Sequence, residues 1–196
     1  MKSAVSTEHS LHYVAVSAQP GHKVRMVCDV GQGKGIQRIT VTHHGQTGPA
    51  RVIVYRTIVF IKGNALTMRV FFGFSRKQAR RFAGKWIFIR HANPAFAPIA
   101  DGATFPSFVG TLFPPNQLSL VTQGNLIGVH GTAQRGGLTV AETVFALDHG
   151  KQLPVKETAS YPGHPGHDHS TLSRWNEAVH LTVPANAIPL EVVTGS

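Results

Sequence analysis

The densest group of chemically capable side chains in this sequence is the loop Gly163-His164-Pro165-Gly166-His167-Asp168-His169. Borderline divalent ions favour nitrogen donors, so His164, His167 and His169 are weak metal-ligand candidates. His-x-x-His-x-His has no fixed scaffold beneath it and no closing ligand, so a solvated loop with no resident metal is expected. The remaining acids give little to work with. Asp29, Asp101, Glu142, Asp148, Glu157 and Glu177 are scattered one to a strand or turn, with no close pair for acid–base work. His12, His130 or His180 could still meet one of them in space. Neither a GxSxG elbow nor an HExxH pair is present, so no enzymatic role is expected.

Two further features invite chemistry and are better read as structure. Gly31-Gln32-Gly33-Lys34-Gly35 resembles a phosphate loop, but a dinucleotide fingerprint must lead into a helix and a P-loop must end in GK[ST]. Here alternating segments flank the glycines on both sides, which makes a hairpin; no cofactor is expected. Cys28, the single cysteine, lies within the alternating stretch 24–30 and reads as an inert thiol. It excludes an internal disulfide framework and any all-cysteine metal site.

Binding is better represented than catalysis. Phe71, Phe72, Phe74, Phe82, Phe105 and Phe108 gather on apolar stripes that either line a pocket for an apolar ligand or fill an ordinary core. Arg76, Lys77, Arg80, Arg81 and Lys85 crowd one short helix. Arg80, Arg81 and Lys85 suit the negative end of its dipole, whereas Arg76 and Lys77 oppose the positive end, so either an anionic partner compensates them or they point into water. The whole chain shares this bias, with 19 Lys and Arg against 9 Asp and Glu and a net charge of +10. Such a field favours an anionic lipid headgroup, an anionic membrane surface or another polyanion, nucleic acid being the less favoured. An Arg-rich coding bias would give the same excess without any partner.

The elements that must position these residues are mostly strands. Period-two alternation runs through residues 11–18, 24–30 and 36–43, separated by glycine turns, and predicts an antiparallel meander. Apolar β-branched strands and a helix follow across 52–89. The helix at 75–83 is bracketed by a capping box, Ser75 with Gln78, and by Gly84 in the position of a left-handed C-cap. A second helix is expected at 104–112, with Pro106 tolerated in its first turn. Strands resume at 118–122, 126–132, 138–147 and 152–160; a loop is expected at 161–170 and a last strand near 174–183. Nine or ten strands would be too many for a flat open sheet of this length. The predicted fold is therefore mainly β (α+β): a strongly curved antiparallel sheet wrapped around two or three short helices. Residues 1–10 are expected to be loose, 11–190 to form a single domain, and 191–196 to fray.

Several short motifs carry a resemblance. Lys62-Gly63-Asn64-Ala65, Ala83-Gly84-Lys85-Trp86 and Trp175-Asn176-Glu177-Ala178-Val179, in the order in which they stand, resemble actinobacterial secreted proteins and lipoproteins. The likeness is to the LppX/LprG-type lipoprotein group within the LolA/LolB-like half-barrel fold and spans about residues 11–190. It implies a half-barrel with an apolar cavity that takes up the acyl chains of lipids or lipoproteins, and it implies a secreted or cell-envelope location. No binding residue is carried over from it. As written, the chain shows no signal peptide and no apolar run long enough to cross a membrane, which by itself would place it in the cytoplasm. The expected partner is a lipid or other hydrophobic ligand, bound by a monomer.

Overall fold

The computed structural model describes residues 1–135 and 137–195. After a short helix α1 (Lys2–Val5), the chain runs through five antiparallel strands: β1 (Ser10–Gln19), β2 (His22–Gly31), β3 (Lys34–His43), β4 (Gln46–Tyr55) and β5 (Ile58–Gly63). Helices α2 (Ala65–Val70) and α3 (Arg76–Phe82) precede β6 (Ile87–Arg90), and α4 (Phe96–Ala100) and α5 (Phe105–Leu112) follow it. A second meander comprises β7 (Asn116–Gln123), β8 (Leu126–Arg135), β9 (Leu138–Leu147), β10 (Pro154–Ser160) and β11 (His167–Ser173). A two-residue β12 (Ile188–Pro189) and α6 (Leu190–Thr194) close the chain.

Among the described residues these strands form one sheet in the order β12-β6-β5-β4-β3-β2-β1-β11-β10-β9-β8-β7. The two meanders join where β1 pairs antiparallel with β11, Ala15 opposite Ser170. The sheet is an open, curled antiparallel one with short helices against its inner face, as expected. Among the described residues there are twelve strands where nine or ten are predicted, and six short helices where two or three are predicted.

Alternation decides which side chains face in. From β2 and β3, Val24, Ile39 and Val41 point inward with Val52, Val54, Val59, Ile61, Ile87 and Ile89 to meet Met68, Ala79 and Phe82 of α2 and α3. A second buried group joins Leu11, Tyr13, Cys28 and Val30 to Phe105, Phe108 and Leu112 of α5 and to Val144 and Leu172. Each side chain buried this way contributes about 1.5–3 kcal/mol. Outward, Ile36, Ile53 and Phe60 are covered by Trp86, Phe88, Leu181 and Ala187, so the segment 181–187 lies along the outer face.

The sequence motifs explain how the helices sit. Asn64 caps α2 by accepting from the Thr67 amide at 2.9 Å, and the Thr67 hydroxyl donates to the Pro49 carbonyl at 2.9 Å. Gly63 is required there because a Cβ would stand 2.3 Å from Thr67 Oγ1. The capping box of Ser75 and Gln78 forms, and Gly84, with φ of 75°, donates its amide to the Gly63 carbonyl at 2.7 Å. In the third motif Trp175 Nε1 donates to the Pro154 carbonyl at 3.2 Å. Asn176 receives the His9 amide at 3.0 Å and donates to Glu8, pinning the chain across the start of β1. All three motifs are structural fasteners.

Four expectations are corrected. The last long strand is β11, residues 167–173, not 174–183; His167 and His169 hide the alternation of Asp168, Ser170 and Leu172 on its inner face. The expected loop thus ends at residue 166. The first ten residues are not loose, for α1 buries Val5, Glu8 is 5% exposed, and Glu8 pairs with Lys151. That ion pair holds the Glu8 carboxyl below its ordinary range. Nor does the C-terminus simply fray, since Leu190 and Val193 of α6 are buried against the core and Gly195 provides a left-handed cap.

Candidate ligand cavity

Between the inner face and the helices lies a cavity with two connected lobes. The larger, about 800 Å3, is walled by Val24 and Met26 from β2, Phe71 and Phe72 after α2, Pro98 and Ile99 of α4, and Phe108 of α5. The smaller, about 280 Å3, reaches across β11, β10 and β9 and is lined by Arg135, Val140, Glu142, Glu157, Tyr161 and Asp168. Ala15, Ser17, Met26, Asp101, Phe108, Thr111, Asp168 and Ser170 belong to both. Apolar sites of a few hundred to a thousand Å3 are the usual size for small-molecule binding.

The roof is held by specific bonds. Tyr13 stacks on Phe108 with ring centroids 4.3 Å apart and donates its hydroxyl to the Gly102 carbonyl at 2.8 Å; buried Gln37 donates to the Tyr13 oxygen at 3.3 Å. Arg135 reaches over from β8, donating through Nε to Glu142 at 3.0 Å and through Nη2 to the Thr111 carbonyl of α5 at 2.6 Å. One guanidinium thus neutralises a buried carboxylate and ties the roof helix to the floor.

Strand register gathers the polar end. In consecutive pairs Ser17 lies opposite Asp168, Asp168 opposite Ala159, and Ala159 opposite Glu142; one row over, Ala15, Ser170, Glu157 and Val144 are matched. Because alternate residues share a face, Glu142, Glu157 and Asp168 from three neighbouring strands converge on one inner patch. Burial is the main force raising the Glu157 carboxyl to about 7, with further upward pushes from Glu142 and Asp168 and opposing ones from Ser170 and Arg135. Tyr161 donates its hydroxyl to Asp168 Oδ2, and burial, reinforced by Asp168, pushes the phenol up so that it stays a donor. Asp168 Oδ1 is buried and has no hydrogen-bond partner among the described residues.

The raised Glu157 pKa makes stability depend on pH in a definite direction. The unfolded carboxyl ionises near 4.5 and the folded one near 7, so the native state binds the proton more tightly. Its contribution is fully present below pH 4.5, falls as pH rises through about 7, and is constant above that. Glu157→Gln is therefore expected to stabilise the protein by about 2 kcal/mol on the alkaline side and to change nothing in acid. Urea melts of both proteins across this range check it; equal offsets at every pH would count against a buried ionisation.

The sequence-derived candidates divide. Phe71, Phe72 and Phe108 line the cavity, Phe108 belonging to the buried core as well, whereas Phe74, Phe82 and Phe105 are packed into the core and line neither lobe. Arg76, Lys77, Arg80, Arg81 and Lys85 are exposed and none lines either lobe; Arg81 and Lys85 lie over the Phe82 ring at 5.2 and 5.5 Å. His167 and His169 stack with ring centroids 6.4 Å apart, and among the described residues no group that could hold a metal ion includes them or His164. His12 does meet an acid, its Nδ1 lying 2.7 Å from Asp29, but on the outer face beside Arg38 and Arg174. Burial pulls the Asp29 carboxyl up, and the hydrogen bonds from His12 and Arg38 outweigh it, leaving the group below its ordinary range. His130 bonds Thr143 instead of a carboxylate. Cys28 is fully buried and its thiol is pushed up to about 12 by that burial, which makes it inert. Met26 and the Glu142, Glu157 and Asp168 patch went unrecognised, because only the pairing of β9 with β10 and β10 with β11 brings those carboxylates together.

No protein-family model matches the chain, and no curated protein matches it in sequence. Among solved structures it is similar to the Mycobacterium tuberculosis lipoprotein LppX, with a TM-score of 0.51 and 15% identity over 92% of this chain and 93% of that one. At that identity the likeness is one of fold. Among the described residues no helix is long and apolar enough to cross a membrane.

Proposed function

We propose that this protein binds a hydrophobic or amphiphilic ligand, a lipid, between the curled sheet and the helices, without transforming it. The observation that carries this reading is the lobe of about 800 Å3 walled by Met26, Phe71, Phe72, Pro98, Ile99 and Phe108. Apolar surface left facing a void this large gains about 25 cal/mol for each Å2 that a ligand covers. The shared fold with a lipoprotein accords with it.

Native mass spectrometry of protein released gently from its host, with uptake of a neutral solvatochromic probe, tests the reading. A ligand-sized adduct or saturable probe uptake is expected. Ala15→Phe, which projects a ring into the wall shared by both lobes, is expected to weaken uptake about tenfold or more with little change in stability. A clean apo mass together with no uptake would remove the proposal.

The same proposal takes an anionic membrane surface as the partner of α3. Among the described residues none of Arg76, Lys77, Arg80, Arg81 and Lys85 is in an ion pair. A basic residue near an anionic surface contributes about 1 kcal/mol. Reversing Arg76, Lys77, Arg80 and Arg81 to Glu is expected to lower co-sedimentation with phosphatidylglycerol vesicles by about a hundredfold or more, and added salt to do the same to the parent. Salt-independent binding to neutral vesicles would contradict it, and salt-sensitive retention on duplex DNA without vesicle binding would favour the polyanion reading.

A further inference from the structure

The charge of the cavity is opposite to that of the protein. Of nine acidic residues in the chain, four line the smaller lobe: Asp101, Glu142, Glu157 and Asp168. Of nineteen lysines and arginines, Arg135 alone lines either lobe among the described residues, and it is committed to Glu142. Asp101 accepts from Ser107 at 3.0 Å, and Asp168 accepts from Tyr161 through one oxygen only. The other oxygen of Asp168 is buried with nothing to accept from among the described residues. A buried acceptor left unmade is costly, and an unpaired buried carboxylate more so. The site therefore lacks a donor that carries positive charge, at the point where the polar lobe opens into the apolar one.

Resting on the binding proposed above, we infer that the ligand is an amphiphile with a primary ammonium headgroup, its apolar chain in the lobe walled by Phe71, Phe72 and Ile99 and its nitrogen between Asp168 and Glu157. A primary ammonium brings three N–H donors and one positive charge, which suits the free Asp168 oxygen and the Glu157 carboxyl together. An anionic headgroup would bring neither donor nor opposite charge. Burial that holds the Glu157 carboxyl near 7 would be offset by an ammonium beside it, whose field favours the ionised form. The geometry thus reverses the expectation, drawn from α3, that the headgroup is anionic: the basic helix and the cavity meet different partners.

The test compares dodecylamine, dodecanoate and dodecanol, matched in chain and differing in headgroup, by displacement of the neutral probe from the full chain at mildly alkaline pH. Dodecylamine is expected to bind about tenfold or more tighter than the other two. This is a preference that long-range attraction to a protein of net charge +10 would oppose. Glu157→Gln and, separately, Asp168→Asn are expected to reduce that preference, read as the ratio of dodecylamine to dodecanol affinity, about tenfold. Glu157→Gln stands as the control for folding, since it is expected to stabilise. Equal binding of the three compounds, or a preference for dodecanoate, would overturn this inference and leave the apolar cavity standing. Failure of all three to displace the probe, with no probe uptake, would overturn the binding proposal itself.

Discussion

Arg135→Ala is expected to destabilise the protein by about 3–5 kcal/mol, because it strands a carboxylate inside the fold. The Glu142 side chain is 4% exposed and the guanidinium of Arg135 is its ion-pair partner, through Nε at 3.0 Å and Nη2 at 3.4 Å. The same variant removes the bond from Arg135 to the Thr111 carbonyl, so α5 loses a tie to β8. Replacing both members, Arg135→Met with Glu142→Leu, removes the stranded charge along with its partner and is expected to recover at least half of the loss. Urea denaturation of the two single variants and the double one measures this. A single-variant cost under about 1 kcal/mol would mean that water reaches Glu142 and that the inner patch is not the dry environment argued above.

Gly35→Ala is expected to be comparably severe for a different reason. A Cβ at this position of β3 would stand 2.0 Å from the Ala103 carbonyl oxygen and 3.2 Å from that of Asp29. Backbone oxygens cannot rotate aside as a side chain would, so either the strand or the segment between α4 and α5 must move. That segment carries the Gly102 carbonyl that accepts from Tyr13, and its Ala103 is fully buried. A cost of about 3 kcal/mol is expected, a fall in Tm of roughly 6–12 °C for a chain of this size. Because Asp101 and Gly102 line the cavity, probe uptake should weaken with it. A Tm within about 2 °C of the parent, with uptake intact, would show that the helix roof does not bear on β3 as tightly as the geometry requires.

Both effects arise at contacts between segments remote in sequence, and this separates what was legible from what was not. Several local signals were read correctly, although the Asn64 cap that starts α2 was not. Ser75 and Gln78 close their capping box within one turn, and the glycines of 31–35 make their hairpin between flanking alternations. Thr104 caps α5 by accepting from the Ser107 amide, with Pro106 in its first turn. The strand at 167–173 was missed because its outward residues are histidines, and polar residues on the open face mask a period that apolar ones would have shown. The tail strand was over-read because the apolar Val179 and Leu181 pack onto the outer face from an extended segment without joining the ladder.

Alternation and turn chemistry, by themselves, determined that this chain makes an antiparallel, strongly curved sheet with short helices laid against it, since both act over a few neighbouring residues. The charge excess and the apolar aromatics likewise pointed to a protein that binds. Only the tertiary structure decided which of those aromatics pack and which face a void, because packing depends on what stands opposite: Phe82 meets the core and Phe72 the cavity. It also decided that Glu142, Glu157 and Asp168, isolated along the chain, share one wall. Their meeting is set by the register of three strands, and register is a long-range property that no single segment encodes.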